Sequence, residues 1–296
     1  MQLIEQDRAE TLYGAMKQRV QTPGGSVANT IAGAGALGLS TAFIGRVHDD
    51  ALGHFYADAM NEGGTDFVNP PVRNGELPTS RSMIFVSPDG ERSMNTYLGI
   101  SSELGPDDVP SDVAGQAEII FLEGYLFDKD KGKEAFLQAA RACRANGGKT
   151  GIAISDPFCV DRHRADFLQL IGNELDYVIG NEAEIRSLFE TDDLEDAIAR
   201  TAAMCPLVVC TRSGDGVSII SDGQRINIAV EKIKPVDATG AGDQFAAGFL
   251  FGLANGHDLE TSGRMGCVAA REVIGHVGPR PENDVQTLFR AAGLLG

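Results

Sequence analysis

The chain has 296 residues, 43% of them hydrophobic and 23% charged, with 25 Lys and Arg against 42 Asp and Glu, a net charge of −17. A surface of that sign repels a phosphate backbone and excludes a nucleic-acid binder, while the ordinary apolar fraction excludes intrinsic disorder. No apolar run approaches the ~20 residues of a membrane helix, and Met1 to Glu10 has no signal-peptide core. The expectation is a cytoplasmic protein that binds a small molecule, no nucleic acid and no membrane. Its five cysteines include no CxxC pair and its five histidines no i,i+4 pair, which predicts buried thiols and no structural zinc.

In chain order, the first informative stretch is Pro23-Gly24-Gly25-Ser26-Val27-Ala28-Asn29, a glycine-rich lead into a helix. Gly24 and Gly25 let a ligand lie against bare backbone, and the Asn29 amide can both donate to and accept from sugar hydroxyls. A turn followed by a helix with an incidental Asn fits the same residues. Gly33-Ala34-Gly35-Ala36-Leu37-Gly38 spells GxGxxG, but it ends a helical run begun near Ser26 and precedes its strand. A dinucleotide fingerprint follows a strand, so close helix packing by small residues is the better account. The chain has no GxxxxGK[ST] run, which excludes a Walker loop.

Short apolar runs then alternate with amphipathic ones. Strands are predicted at 42–47, 118–122, 150–154, 176–179, 207–211 and 217–221, and helices at 51–61, 131–145, 161–171, 182–189, 194–204, 242–254 and 259–274. The alternation implies an α/β fold, a mostly parallel sheet with helices on both faces. One stretch breaks the rhythm: Arg81–Val86 and Arg92–Leu98 are strand-like and joined by Ser87-Pro88-Asp89-Gly90, a hairpin signal. This predicts a small β unit, either a lid that closes over a site or a static edge extension.

The segment richest in chemistry is Asp237-Ala238-Thr239-Gly240-Ala241-Gly242-Asp243, which runs into a helix with Phe245, Phe249 and Leu253 on one stripe. Small residues at a positive helix end let backbone N–H groups approach a phosphate. Asp243, in the first turn beside that anion site, can take a proton from a hydroxyl as it attacks a phosphoryl group. The plainer alternative is a helix cap, which needs neither Gly-Ala-Gly nor a second acid at Asp237.

Together these segments resemble the ribokinase-like (PfkB) family of carbohydrate and nucleoside kinases, from about Gly24 to the C-terminus. The resemblance implies a three-layer α/β body over 20–64 and 100–296 and a small β lid over 1–6 and 65–99. Gly24 to Asn29 is similar to the family's sugar-contacting motif, which marks Gly24, Gly25 and Asn29. Asp237 to Asp243 is similar to its second signature, with Gly240, Ala241 and Gly242 as the anion hole, Asp243 as the base, and Asp237 near a monovalent cation or the substrate. Asn181-Glu182-Ala183-Glu184 looks like the Asn-x-x-Glu motif, in which Asn181 and Glu184 organise Mg²⁺ and its waters. Thr211, Ser213, Gly214 and Gly216 stand where relatives carry an ATP-binding loop.

Glu123-Gly124-Tyr125-Leu126 and Ser155-Asp156-Pro157-Phe158 look most like adenosine-kinase-type members. Tyr125 is then a platform for a base, or simple rim packing, and Arg92 a lid arginine, or a solvated hairpin charge. The sequence departs from the pattern at Val27, Ala238 and Ser213, which replace Ala, Thr and Gly. No Gly-Asn-x-x-x-Asp strand precedes Gly24: against the family pattern, either the start is late, or the protein lacks a sheet strand, part of the lid and one substrate anchor. The implied activity is ATP- and Mg²⁺-dependent phosphorylation of a nucleoside 5′-hydroxyl, adenosine to AMP in purine salvage, with K⁺ as a further cation and a monomer or homodimer as the assembly. The rivals are a free-sugar kinase of the ribose or fructose type and a nucleoside-binding protein without turnover.

Overall fold

A computed structural model describes residues 2–17, 19–86 and 92–296. The first half runs β1 (Gln2–Leu3), α1 (Gln6–Ala15), α2 (Ser26–Ala36), β2 (Thr41–Phe43), α3 (Ala51–Glu62), β3 (Thr65–Phe67), β4 (Arg81–Val86), β5 (Arg92–Tyr97), α4 (Ser111–Gln116), β6 (Ile119–Glu123) and α5 (Asp130–Ala145). The second half runs β7 (Lys149–Ala153), α6 (Pro157–Glu174), β8 (Tyr177–Asn181), α7 (Glu182–Ser187), α8 (Leu194–Ala202), β9 (Leu207–Thr211), β10 (Val217–Ser221), β11 (Gln224–Ile228), α9 (Ala241–Ala254), α10 (Leu259–Val273) and α11 (Val285–Ala291).

Six strands form one sheet in the order β11-β10-β9-β8-β7-β6. β6 to β9 are parallel, and β10 and β11 are antiparallel. Side chains alternate across it. Leu122, Ile152, Val178, Val208 and Cys210 face a core shared with α5, α6, α7 and α8, whereas Phe121, Tyr177, Ile179 and Val209 face Val27 of α2 and Phe245 and Phe249 of α9. This is the expected layering of helices on both faces. Five acidic residues, Asp50, Asp156, Asp193, Asp258 and Asp284, cap helices through their side chains, which accounts for part of the acidic excess.

β4 and β5 pair antiparallel from Arg81↔Tyr97 to Val86↔Arg92, as the hairpin signal required; the turn 87–90 and the side chain of Arg92 lie outside the described residues. β1 adds to β5 in parallel, and α1 packs Ala9 against Met83 and Tyr97. β3, which the sequence placed at the start of the small unit, pairs instead with β2.

Several boundaries differ from expectation. β2 stops at Phe43, because Gly45 N–H and the Val47 carbonyl bond to Asn69 and Val72 of a loop rather than to a strand ladder. α6 starts at Pro157, four residues early, since Asp156 accepts the Phe158 N–H and Pro suits the first helical position. β11 was not expected, yet Asp222 and Gly223 both take positive φ (51° and 73°) in a two-residue turn, the conformation Asp-Gly favours. Among the described residues no helix is long and apolar enough to cross a membrane. All five cysteines are free, and burial pushes Cys205 up to about 11 and Cys210 up to about 12, too high for a thiolate at neutral pH.

The GxGxxG segment packs α2 on α9, as its small residues suggested: a Cβ on Gly33 would lie 2.9 Å from Ala247 Cβ and closer still to the Gln244 amide. Gly33→Val should therefore lower the unfolding free energy by about 1–3 kcal/mol through overpacking, measured by urea denaturation; an unchanged midpoint refutes this reading of the helix contact.

Candidate active site

α9 begins after Gly240, whose φ of 79° is left-handed. A Cβ there would lie 2.5 Å from the Pro279 carbonyl oxygen, so both backbone and space require glycine. Three residues on, Asp243 turns its carboxylate to α2: Ser26 Oγ donates to Oδ1 at 2.9 Å and Asn29 Nδ2 donates to Oδ2 at 3.0 Å. The two helix N-termini are thereby joined through one carboxylate. Buried Gln244 reinforces the joint, donating its amide to the Asn29 and Pro279 carbonyls at 3.1 Å each. A carboxylate offers about four lone-pair positions, so acceptor capacity remains for a hydroxyl. Burial pushes the Asp243 carboxyl up to about 6, and the two donors hold it from going higher.

Glu123 closes β6 and fixes the same helix from the other side. Its Oε2 accepts the Val27 N–H at 2.8 Å and its Oε1 the Ser155 hydroxyl at 2.7 Å. Ser155 holds a φ of 76°, a strained value for a residue with a side chain, and its carbonyl accepts the Tyr125 hydroxyl at 3.1 Å. Burial pushes Glu123 up to about 7.

At the end of β8, Asn181 and Glu184 form a capping box on α7: Asn181 Oδ1 accepts the Glu184 N–H at 3.0 Å and Glu184 Oε2 accepts the Asn181 N–H at 2.9 Å. Glu184 is 8% exposed. Burial, then Asp156, Asp243 and Glu123, push it up to about 7. Acids gathered in this way favour a cation among them. Among the described residues no three His, Cys, Asp or Glu side chains converge to hold a metal directly.

Gly24, Gly25, Asn29, Tyr125, Gly240 and Asp243 line one cavity. The Ala241 N–H donates to the Ala238 carbonyl at 3.3 Å, whereas the space over Gly242 is open. Asp237 accepts the N–H groups of Thr239 (2.7 Å) and Gly278 (3.1 Å), tying the glycine loop to the segment after α10. Thr211 lies across the β8–β9 ladder from Asn181. Ser213, Gly214 and Gly216 form the turn before β10, with Gly214 against Lys232, and they do not line the cavity that holds Asp243. Sequence reasoning gave no role to Ser26, Glu123, Ser155 or Gln244. For Glu123 a signal existed: it is an acid at the carboxyl end of an apolar strand, where α/β folds bind ligands.

Residues 1–286 match the model of the pfkB family of carbohydrate kinases. The chain belongs to that family. It is 30% identical to an uncharacterized sugar kinase of Archaeoglobus fulgidus over 84% of this chain and 96% of the relative. To a 5-dehydro-2-deoxygluconokinase of Shouchella clausii it is 28% identical, over 85% and 80%. The crystal structure of adenosine kinase from Sinorhizobium meliloti superposes with a TM-score of 0.93 at 43% identity, over 98% of this chain and 89% of that one. This pfkB-family chain is therefore an ATP-using phosphotransferase with an alcohol group as acceptor, acting on a sugar or nucleoside.

The raised acids predict how the ligand-free protein responds to pH. Asp243, Glu123 and Glu184 ordinarily titrate near 3.8, 4.5 and 4.5 and are held at about 6, 7 and 7, so the folded chain binds more protons than the unfolded one between those values. Stability then falls as pH rises through that window. The Tm should drop between about pH 4.5 and 7, and Glu184→Gln should flatten the slope; an equal slope in the variant removes Glu184 from the account.

Proposed function

We propose that the chain is an adenosine kinase, transferring the γ-phosphoryl group of ATP to the 5′-hydroxyl of adenosine. The observation that carries this is the 43% identity to the Sinorhizobium meliloti adenosine kinase over nearly the whole chain; a probable sugar kinase from Rhizobium etli matches at the same 43%, and the curated sugar kinases at 28–30%. Supporting it, Tyr125 lies on the cavity wall with its hydroxyl anchored to Ser155, an aromatic ring available to a base.

In this reading Asn29 and the Gly24-Gly25 backbone hold ribose hydroxyls, and Asp243 takes the 5′-hydroxyl proton. The 5′ oxygen forms its bond to the γ-phosphorus as the bond from that phosphorus to the bridging oxygen breaks, and ADP leaves. The N–H groups of Gly242 and Asp243, unpaired within their helix, face the transferred group with Gly240 setting the turn. Asn181 and Glu184 would hold Mg²⁺ through water, and its charge would offset that of the phosphates. Thr211, Ser213, Gly214 and Gly216 lie on the side left for the nucleotide. Asp237 positions the glycine loop. β1, β4 and β5 with α1 are the lid, and its closure excludes water.

A free-sugar acceptor is the second reading, favoured by the 5-dehydro-2-deoxygluconokinase relatives. The deciding assay is ADP release with Mg²⁺-ATP, with and without K⁺, across adenosine, other nucleosides, ribose, fructose and 5-dehydro-2-deoxygluconate. Adenosine should dominate; a sugar as the preferred acceptor overturns the proposal. Tyr125→Ala should lower kcat/KM for adenosine about 5- to 150-fold, the ~1–3 kcal/mol of a base stacked on an aromatic ring, and leave ATP affinity unchanged.

Asp243→Asn should lower kcat about 10²- to 10⁴-fold with ATP binding retained by calorimetry. The wild-type kcat/KM should rise with pH about a midpoint near 6, the value to which burial brings Asp243. Near-normal turnover in the variant would remove the base assignment.

A further inference from the structure

Gly278, Pro279 and Arg280 follow α10 and reach three parts of the site in turn. The Gly278 N–H donates to Asp237 at 3.1 Å. The Pro279 carbonyl accepts the Gln244 amide at 3.1 Å, and Pro279 closes the space over Gly240. Arg280 reaches α2, where its Nε–H donates to Asn29 Oδ1 at 3.4 Å. Pro279 and Pro281 flank it, so the chain has little freedom on either side, and a residue before proline is held extended. Its Nη2 lies 3.4 Å from Sδ of Met60 on α3, which is fully buried, and Arg280 is itself half-buried. Among the described residues it makes no ion pair; the ionisable group that acts on it is the Tyr56 hydroxyl, which donates to the Gly24 carbonyl at 3.0 Å. A cation drawn out of water without a counter-ion carries an uncompensated cost, and an apolar residue would pack on Met60 without it.

On the roles proposed above for Asn29 and Asp243, we infer that Arg280 is a positioning residue: it fixes the Asn29 side-chain amide so that Nδ2 faces the base throughout turnover. Asn29 is 5% exposed and stands between a cation and a carboxylate, with Oδ1 on Arg280 and Nδ2 3.0 Å from Asp243 Oδ2. Turning the amide over would set Nδ2 against the guanidinium and Oδ1 against the carboxylate, two repulsive contacts in place of two hydrogen bonds. Asp243 enforces the same orientation only while it is ionised. Once it carries the proton taken from the acceptor, its acid group can donate to Oδ1 of a turned amide, and the site would close on itself between turnovers. Arg280 stays charged at every working pH and keeps Oδ1 on its own side. A cation on Oδ1 also polarises the amide and strengthens Nδ2 as a donor. One lone pair of Oδ1 and one hydrogen of Nδ2 remain for an acceptor hydroxyl.

The test compares the wild type, Arg280→Leu, Asn29→Ala and the double variant, assayed for ADP release with Mg²⁺-ATP and adenosine, or with the sugar if the acceptor screen selects one. Arg280→Leu should lower kcat/KM for the acceptor about 10- to 100-fold, the weight of a hydrogen bond to a charged group, and leave the KM for ATP within about twofold of wild type. In the Asn29→Ala background the same substitution should lower it less than about twofold further, because a residue that acts through Asn29 has nothing left to orient. Arg280→Lys, which keeps a charged donor, should restore most of the loss. Asn29 also holds the acceptor, so the cycle is read too on the dissociation constant of that acceptor by calorimetry, which needs no turnover, and urea midpoints show that each variant is folded. Equal losses from Arg280→Leu in both backgrounds, unchanged kinetics in Arg280→Leu, or no recovery with lysine overturns the inference. Near-normal turnover in Asp243→Asn is a different result: it removes the base and leaves the cycle between Arg280 and Asn29 to be read on its own.

Discussion

The site depends on one carboxylate shared between two helix N-termini. Asp243 belongs to α9 but is held by Ser26 and Asn29 of α2, so the N-terminal turns of the two helices are fixed relative to each other by hydrogen bonds of 2.9 and 3.0 Å. Bonds to a charged acceptor are stronger than neutral ones, and in a buried place the positive ends of both helices add to them. The same burial raises the carboxyl to about 6, while the two donors that place it hold it from going higher.

That joint explains the small residues on either side. α2 and α9 approach closely enough that Gly33 faces Ala247 and Gln244 with no room for a methyl group. Larger residues along 33–35 would separate the helices and draw Ser26 and Asn29 away from Asp243. The run that resembles a dinucleotide fingerprint is therefore explained by the close packing of α2 on α9.

Much of this was legible in the sequence. Period-2 and period-3.6 patterns located the main helices and parallel strands, because layers buried on both faces leave an unmistakable apolar pattern. Gly24, Gly25 and Asn29 of the lead into α2 and Gly240 and Asp243 of the lead into α9 line one cavity. Long-range pairing was not legible: nothing local says that Asp243 accepts from Asn29, that Glu123 holds the Val27 N–H, or that Ser155 must sit at positive φ. Thr65–Phe67 was grouped with the wrong sheet for the same reason, since strand pairing is set by tertiary packing. The resemblance to a kinase family supplied roles that no periodicity could, and it gave no sign that Asp237 accepts the N–H groups of Thr239 and of Gly278 beyond α10.

Glu123 links the sheet to the chemistry. It terminates β6, one edge of the six-stranded sheet, and its side chain connects that strand to the first turn of α2 by accepting the Val27 N–H. Edge strands exchange and fray more readily than inner ones, because half their ladder is absent. Any displacement of β6 moves Glu123, then Val27, then the Ser26 and Asn29 donors on which Asp243 relies.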